Sequence, residues 1–564
     1  MADINFSFSS DKTAASQKSL KRLKTSLLRI WRRAKGFLST QQLPHVASKA
    51  CSAYLTDADQ QQQAHCRRLL QTRLELNPTQ LQRFFQTPMG DRLLAWLGRL
   101  FHLTSDRPPP NNLQDLLLQM ASDPEGLSIL SFWRRFPNQL QPNLDQLLLT
   151  AKQVEMLIQE TQATVAAIQE LAQVEVERQP VTDFAELPDL RQPGSFAVQQ
   201  QQLTFEAAGD RLPGHRYQRH LAVEIYRPQP WPEGPVTVVV QSHGLASNSA
   251  DIAQCAIYLA SHGYFVATPQ HPGSDMEQVR QMLAGQHPEV FQLTEFINRP
   301  LDISYLLDQL TRRNASDFEG RLNLQSVGMI GYSFGAYTAL ALAGAEIHFE
   351  RLEMACGSDQ LNPNLSLLLQ CRALELPRHV YSLCDPRIQA VLSVDSVGSE
   401  IFGADGIGKI RVPLMLLAGS YDTAAPLVFE QVRLFHWLKT AQPYLALIQG
   451  KSHIRDWQRL VRSLNLEVRL IPDPTPEQQT PLFEQYIQIL SHTFFQAHLA
   501  ARPNPAYLNA AYARFLSQPP FDLWLISQAS QQSLSERLQA LDFGLVRTLL
   551  PNSVAQDLSQ EQAL

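Results

Sequence analysis

From Leu221 onward the chain alternates between two hydrophobic periods. The runs "LAVEIYRP", "VTVVVQSHG", "YFVATPQHPG", "SVGMI", "IQAVLSVD", "VPLMLLAGSYD" and "YLALIQGKSH" are short, aliphatic and rich in β-branched residues. Such runs predict strands buried on both faces. Between them, "DIAQCAIYLASHG", "RPLDISYLLDQLTRR" and "AYTALALAG" repeat apolar residues every three or four positions and predict helices. The alternation predicts an α/β domain over 221–475: a mostly parallel sheet covered by helices on both faces. Residues 345–386 break the alternation and read as an insertion.

The flanking regions follow a different rule. Residues 51–175 predict an added N-terminal domain that is all helical. "PTQLQRFFQTPMGDRLLAWLGRL" keeps three- and four-residue spacing, broken at Pro88 and Gly90, and Pro108, Pro109 and Pro110 form a stiff connector. "DPEGLSILSFWRRFP" restarts a helix. The stripe Leu147, Val154, Ile158, Val165, Ile168 and Leu171 predicts one long amphipathic helix. Residues 176–220, with Pro180, Pro188, Pro193 and Pro213, read as a linker and first strands, and 476–564 as a helical extension.

Charge adds one feature to this plan. Within the segment 1–50, the stretch from Lys12 to Ala50 holds ten Lys or Arg and no Asp or Glu. Within 12–38, Leu20, Leu23, Leu27, Ile30, Trp31 and Ala34 recur at helical spacing opposite the basic residues. A helix of this kind suits an anionic membrane surface, or docks on the protein by the same stripe. A targeting presequence would also be basic. The net charge of −5 excludes a general attraction to nucleic acid. No run is long enough to span a membrane, and no secretory apolar segment opens the chain. The expectation is a cytoplasmic protein, peripheral at most. The six cysteines include no C-x-x-C pair, and buried free thiols are expected, although Cys356, Cys371 and Cys384 lie close enough in sequence to pair.

The candidate chemistry centres on "SVGMIGYSFGAYTALALAG". Gly331-Tyr332-Ser333-Phe334-Gly335 falls between a predicted strand and a predicted helix, the context in which G-x-S-x-G presents a nucleophile on a sharp turn. A serine hydroxyl needs a base, and in this order of elements the acid and then the histidine come later. His453 follows the last strand and is the candidate base. Asp422 and Asp395 each end a strand, and either could orient the imidazole, with Asp422 preferred. Backbone N–H groups of Leu245 and Phe334 are the candidate oxyanion-hole donors, with His243, Gly244, Gly331 and Gly335 as supporting turns. His271 reads as a loop anchor. No metal or organic cofactor is called for.

The segments "VVVQSHGLASNSADIAQCAIYLASHGYFVATPQHPGSD", "RPLDISYLLDQL" and "IGYSFGAYTALALAG" resemble the predicted dienelactone hydrolase and platelet-activating-factor acetylhydrolase group of α/β-hydrolases. "QLQRFFQTPMGDRLLAWLG" and "ASDPEGLSILSFWRRFP" resemble the helical region fused to such hydrolases in a cyanobacterial family of uncharacterised function, the DUF1400 type. The resemblance implies an α/β-hydrolase fold and a serine esterase with Ser333 as nucleophile, His453 as base, and Leu245 and Phe334 as oxyanion donors. In the acetylhydrolase pattern the acid would be Asp395; in the fused family it would be Asp422. Tyr332 stands where many relatives carry His, and Ala336 where many carry Gly. Dienelactone hydrolases proper use a cysteine nucleophile, so the serine argues against that activity. The expected reaction is hydrolysis of a carboxylic, lipid-like ester. An acyltransferase or peptidase on the same residues, or a non-catalytic binding module, are the alternatives.

Overall fold

A computed structural model describes residues 73–103, 109–122, 140–212, 215–357, 362–454, 457–464, 468–471, 480–500 and 505–540. The basic segment 12–38 and "DPEGLSILSFWRRFP" lie outside the described residues. The chain divides into two compact units, Met1–Leu149 with Asn465–Thr475, and Thr150–Leu464 with Pro476–Leu564. The boundary expected near 175 thus falls inside one continuous helix, α1 (Leu144–Arg178).

In the smaller unit, helices Pro78–Phe85 and Pro88–Gly98 each begin with a proline behind a capping side chain. Asn77 and Thr87 accept backbone N–H groups of the first turn. With helix Pro109–Ala121 they enclose Phe85, Leu94, Leu113 and Met120. The region is not purely helical. Arg73–Leu76 pairs antiparallel with Val468–Ile471, and Phe101–Leu103 with Leu140–Pro142. Strands of three or four residues are too short for an alternation to register in sequence. The first pairing also draws residues expected at the end of the α/β domain into the smaller unit.

The larger unit is built on a nine-stranded sheet. Its strands are β1 (Ala197–Leu212), β2 (His215–Gln229), β3 (Val236–Ser242), β4 (Phe265–Pro269), β5 (Leu322–Tyr332), β6 (Ile388–Val394), β7 (Leu414–Gly419), β8 (Pro443–Ile448) and β9 (Leu523–Ser527). Their order is β9-β8-β7-β6-β5-β3-β4-β2-β1. Strands β3 to β8 are mutually parallel, and β1, β2 and β9 add antiparallel at the edges. Each of β4 and β7 is buried at every residue, because helices cover both faces, and for that reason the sequence shows runs rather than alternation. Among the covering helices are α2 (Ala253–Ser261), α3 (Glu295–Asp317), α4 (Phe334–Leu342) and α5 (Thr480–His498). This is the α/β-hydrolase fold class expected from the sequence. The chain steps from β3 to β4 on one side and later to β5 on the other. The crevice outside the strand C-termini at such a reversal is where ligands collect in open α/β sheets.

Two expectations are revised in this unit. Residues 476–564 are not only helical: β9 pairs with β8 there, and Phe483, Tyr486, Ile487, Phe494 and Phe495 of α5 join the main core. Cys356 and Cys371, expected as free thiols, form a disulfide with Cα atoms 5.7 Å apart. Helix Phe349–Cys356 and the turn Cys371–Glu375 bring them side by side, which a separation of 15 residues does not reveal. Cys255 is free and buried; Cys384 is free and exposed. The insertion is fixed to the body rather than loose: Asn364, Ser366 and Gln370 all donate to the buried Glu430 carboxylate, at 2.8, 2.8 and 2.7 Å. No helix among the described residues is long and apolar enough to cross a membrane.

The docking of α5 carries a pH dependence. His492 is buried with its ring 4.4 Å from that of His262. Burial, with His262 adding, holds the His492 pKa down at about 3. The unfolded chain takes up that proton near pH 6.5, so it binds more protons than the native state and stability falls as pH drops through 6.5. Between pH 7 and 5, the unfolding free energy of the wild type should fall by about 2 kcal/mol more than that of His492→Phe, as read by urea titration. Equal losses in the two proteins would place the acid sensitivity elsewhere.

Candidate active site

Strand β5 ends at Tyr332 and α4 begins at Phe334, leaving one residue for the turn. That residue, Ser333, has φ 54° and ψ −112°. An L-residue is held there only when its surroundings demand it. The Ser333 N–H donates to Val394 O at 2.9 Å, and its carbonyl accepts from Ala336 and Tyr337 at 2.9 and 3.2 Å. The flanking glycines permit the bend. A β-carbon on Gly331 would lie 2.2 Å from the Gly335 carbonyl oxygen, and one on Gly335 would lie 2.0 Å from that of Ser242. Neither space admits a side chain. Beneath the turn, the fully buried Phe334 ring packs edge-on against Phe291 and Phe296.

Two neighbouring strands deliver the partners. His453, beyond β8, places Nε2 2.9 Å from Ser333 Oγ and Nδ1 2.7 Å from Asp422 Oδ2. Asp422, beyond β7, uses Oδ1 to accept the Ala425 N–H at 2.7 Å, which aims Oδ2 at the imidazole. With a carboxylate on one side, Nδ1–H donates to Asp422 and Nε2 is left to accept the serine hydroxyl. The Asp422 side chain is 1% exposed and that of His453 is 19% exposed, so the imidazole borders solvent while its carboxylate does not. Burial disfavours the charged imidazole. Asp422, by charge and hydrogen bond, and Asp395, by charge, outweigh that and leave the His453 pKa raised.

Asp395, the other candidate acid, occupies a different position. It ends β6 with φ 47°, its N–H bonded to Leu417 O at 2.9 Å. Its Oδ2 takes the ammonium of Lys451, a side chain with no exposed surface, and its buried Oδ1 has no hydrogen-bond partner among the described residues. Burial raises the Asp395 pKa, against the pull of Lys451. One ligand-type atom from each of Asp395, Asp422 and His453 lies within 4.8 Å of the others. A metal could draw on the same three side chains, but the Lys451 ammonium already rests on Asp395. Of the two acids, Asp422 is therefore on the imidazole and Asp395 is on the lysine.

The turn after β3 meets the serine from the other side. A β-carbon on Gly244 would be 3.4 Å from Ser333 Cβ, which puts Gly244 in contact range of the Ser333 turn and Leu245 next to it. The Leu245 N–H makes no hydrogen bond within the described residues. The Phe334 N–H opens α4, where no intrahelical carbonyl is in reach. His243 donates from Nδ1 to Gly244 O at 2.8 Å and accepts the His271 N–H on Nε2 at 3.1 Å. His271 in turn donates from Nδ1 to Asp302 at 2.7 Å and accepts the Ser242 hydroxyl at 2.9 Å. Burial, with Arg299 nearby, holds both histidines well below their ordinary range. They are neutral scaffold, as the loop-anchor reading of His271 expects. Burial also pushes Asp302 up to about 6.

Sequence reasoning missed Arg299 and Lys451. Arg299 donates to the His243 carbonyl, and its guanidinium lies 4.6 Å over the Phe334 ring, so one buried cation touches both turns. Arg299 and Asp302 are one helical turn apart in "NRPLDISYLLDQL", on the inward face of α3. Charged residues in register with the apolar stripe were the available signal. Lys451, in "GKSH", looks like any loop lysine, and nothing local to the sequence marks it as buried.

Residues 41–143 match the model of a family described as alpha/beta hydrolase of unknown function (DUF1400). The match covers well under half of the chain and none of the residues gathered around Ser333, so it marks a similarity to hydrolases rather than an activity. No curated protein matches the chain.

Proposed function

We propose that the larger unit is a serine hydrolase cleaving carboxylic esters, with Ser333 as nucleophile, His453 as base and Asp422 as the orienting acid. The observation that carries the reading is the continuous chain of hydrogen bonds, 2.9 Å from Ser333 Oγ to His453 Nε2 and 2.7 Å from His453 Nδ1 to Asp422 Oδ2. These fall within the range needed for a nucleophile activated by a base. Ser333 Oγ attacks the ester carbonyl as its proton passes to Nε2. The C–O bond of the tetrahedral intermediate breaks, and the imidazolium protonates the departing alkoxide. Water then gives a proton to Nε2 as it attacks the acyl-serine carbonyl; the bond from the acyl carbon to Ser333 Oγ breaks, Nε2 returns the proton to Oγ, and the acid leaves. The N–H groups of Leu245 and Phe334 serve the oxyanion, helped by the partial positive charge at the start of α4.

The substrate side is read from exposed sequence neighbours of the triad. Tyr421 is 72% exposed and Ile454 40%, next in the chain to Asp422 and His453. An ester with an apolar acyl or alkoxy group, as in a lipid-like substrate, is the reading these residues support. The test is a chromogenic ester series of increasing acyl length, run beside labelling with a fluorophosphonate. Turnover, with modification confined to Ser333, is expected. No turnover at any length and no label would leave the hydrolase-fold binding module as the reading.

A further inference from the structure

Lys451 is the feature of this site that the triad does not use. A lysine with no exposed surface is rare unless it is paired. Here it pairs with the carboxylate that sequence alone offers as a rival acid. Its ammonium also reaches the Ser452 carbonyl at 3.2 Å, and it sits two residues before His453. The loop that carries the imidazole therefore carries a fixed positive charge as well.

The groups facing His453 come from four places. The turn between β5 and α4 brings the neutral Ser333 hydroxyl, the loop after β7 brings Asp422, the end of β6 brings Asp395, and its own loop brings Lys451. Without the lysine, two carboxylates would crowd one imidazole in a largely buried site. Such a pair favours the imidazolium, and an imidazolium cannot take a proton from serine. The ammonium on Asp395 offsets the second carboxylate.

Resting on the esterase reading, we infer that Lys451 is a positioning residue: by neutralising Asp395 it leaves His453 facing one uncompensated carboxylate, and so limits how strongly the imidazole holds a proton. Asp395 is the other half of the device. It gives the buried ammonium a partner and ties the histidine loop to the end of β6. The rival acid acts as the counter-ion of a charge-setting lysine rather than as a spare member of the triad.

The experiment uses the full chain with imidazole-¹³C histidine, the His453 signal being the one lost in His453→Gln. Its titration is followed by NMR in the wild type, Lys451→Met, Asp395→Asn and the double variant. Lys451→Met should move the midpoint up by about one pH unit, and Asp395→Asn should move it down. The double variant, which removes both charges together, should return close to the wild type. Should Lys451→Met not fold, Lys451→Gln keeps a donor for Asp395 without the charge and should move the midpoint in the same direction. The acid limb of fluorophosphonate labelling at Ser333 should follow the same order. One midpoint shared by all four proteins, or a double variant that keeps the displacement of either single one, overturns the inference. Absence of labelling in the wild type at every pH would end the esterase reading instead, and the NMR order would still decide the electrostatic one.

Discussion

Ser333→Ala should abolish fluorophosphonate labelling and lower ester turnover by a factor on the order of 10⁵ to 10⁶, while leaving the thermal midpoint of the chain nearly unchanged. The size follows from how the residues act. Without the hydroxyl, His453 has no proton to take, and the remaining rate comes from the oxyanion donors and from binding alone. For the same reason, Ser333→Ala combined with His453→Ala should be little slower than either single change. The fold should tolerate the substitution because Ser333 holds its turn through its backbone, to Val394 O, Ala336 and Tyr337, and not through Oγ. Relief of the left-handed conformation is not expected, since alanine meets the same restriction as serine there. Turnover in Ser333→Ala within tenfold of the wild type would remove the serine from the chemistry.

How much of this site the sequence discloses depends on the range over which each residue is positioned. Ser333 is legible because its geometry is local: strand, two glycines that cannot carry a β-carbon, and helix are all contiguous. His453 and the β7 and β8 loops are legible because a parallel sheet sends every strand's C-terminus to the same edge, so loops after strands gather wherever the order reverses. Asp395 and Asp422 both follow strands at that edge, so the sequence prefers Asp422 without excluding Asp395. What separates them is Lys451, and its burial depends on β6, β7 and β8 lying side by side. Strands were expected at the end of 176–220 and at "LAVEIYRP", but the full extent of β1 and the existence of β9 are less legible for a different reason. β1 opens with "AVQQQQ", whose polar faces suit a hairpin at the edge but resemble a linker. β9 is five residues long among helices and is recognisable only through its pairing with β8. The disulfide between Cys356 and Cys371 depends on the folded insertion and has no local signature beyond the closeness of the two cysteines.

The second large effect concerns the acid. Asp422→Asn should lower kcat for ester hydrolysis by about 10⁴-fold with little change in KM, because the loss falls on the transition state. The carboxamide can present N–H groups to Nδ1, which favours the imidazole tautomer with its proton on Nε2. That proton then points at Ser333 Oγ, and the base is disabled although every heavy atom stays in place. Asp395 cannot substitute. It is close enough to be felt by the imidazole, but its Oδ2 is engaged by the Lys451 ammonium and its backbone is fixed to Leu417. Asp395→Asn should therefore keep kcat, measured at its own pH optimum, within about tenfold of the wild type, and should show its effect as a displaced pH profile. The comparison of the two variants assigns the acid. If the larger loss appears at Asp395→Asn, the hydrogen bond between His453 and Asp422 is not the one used in catalysis, and the Lys451 pair would have to open for the imidazole to reach its true partner.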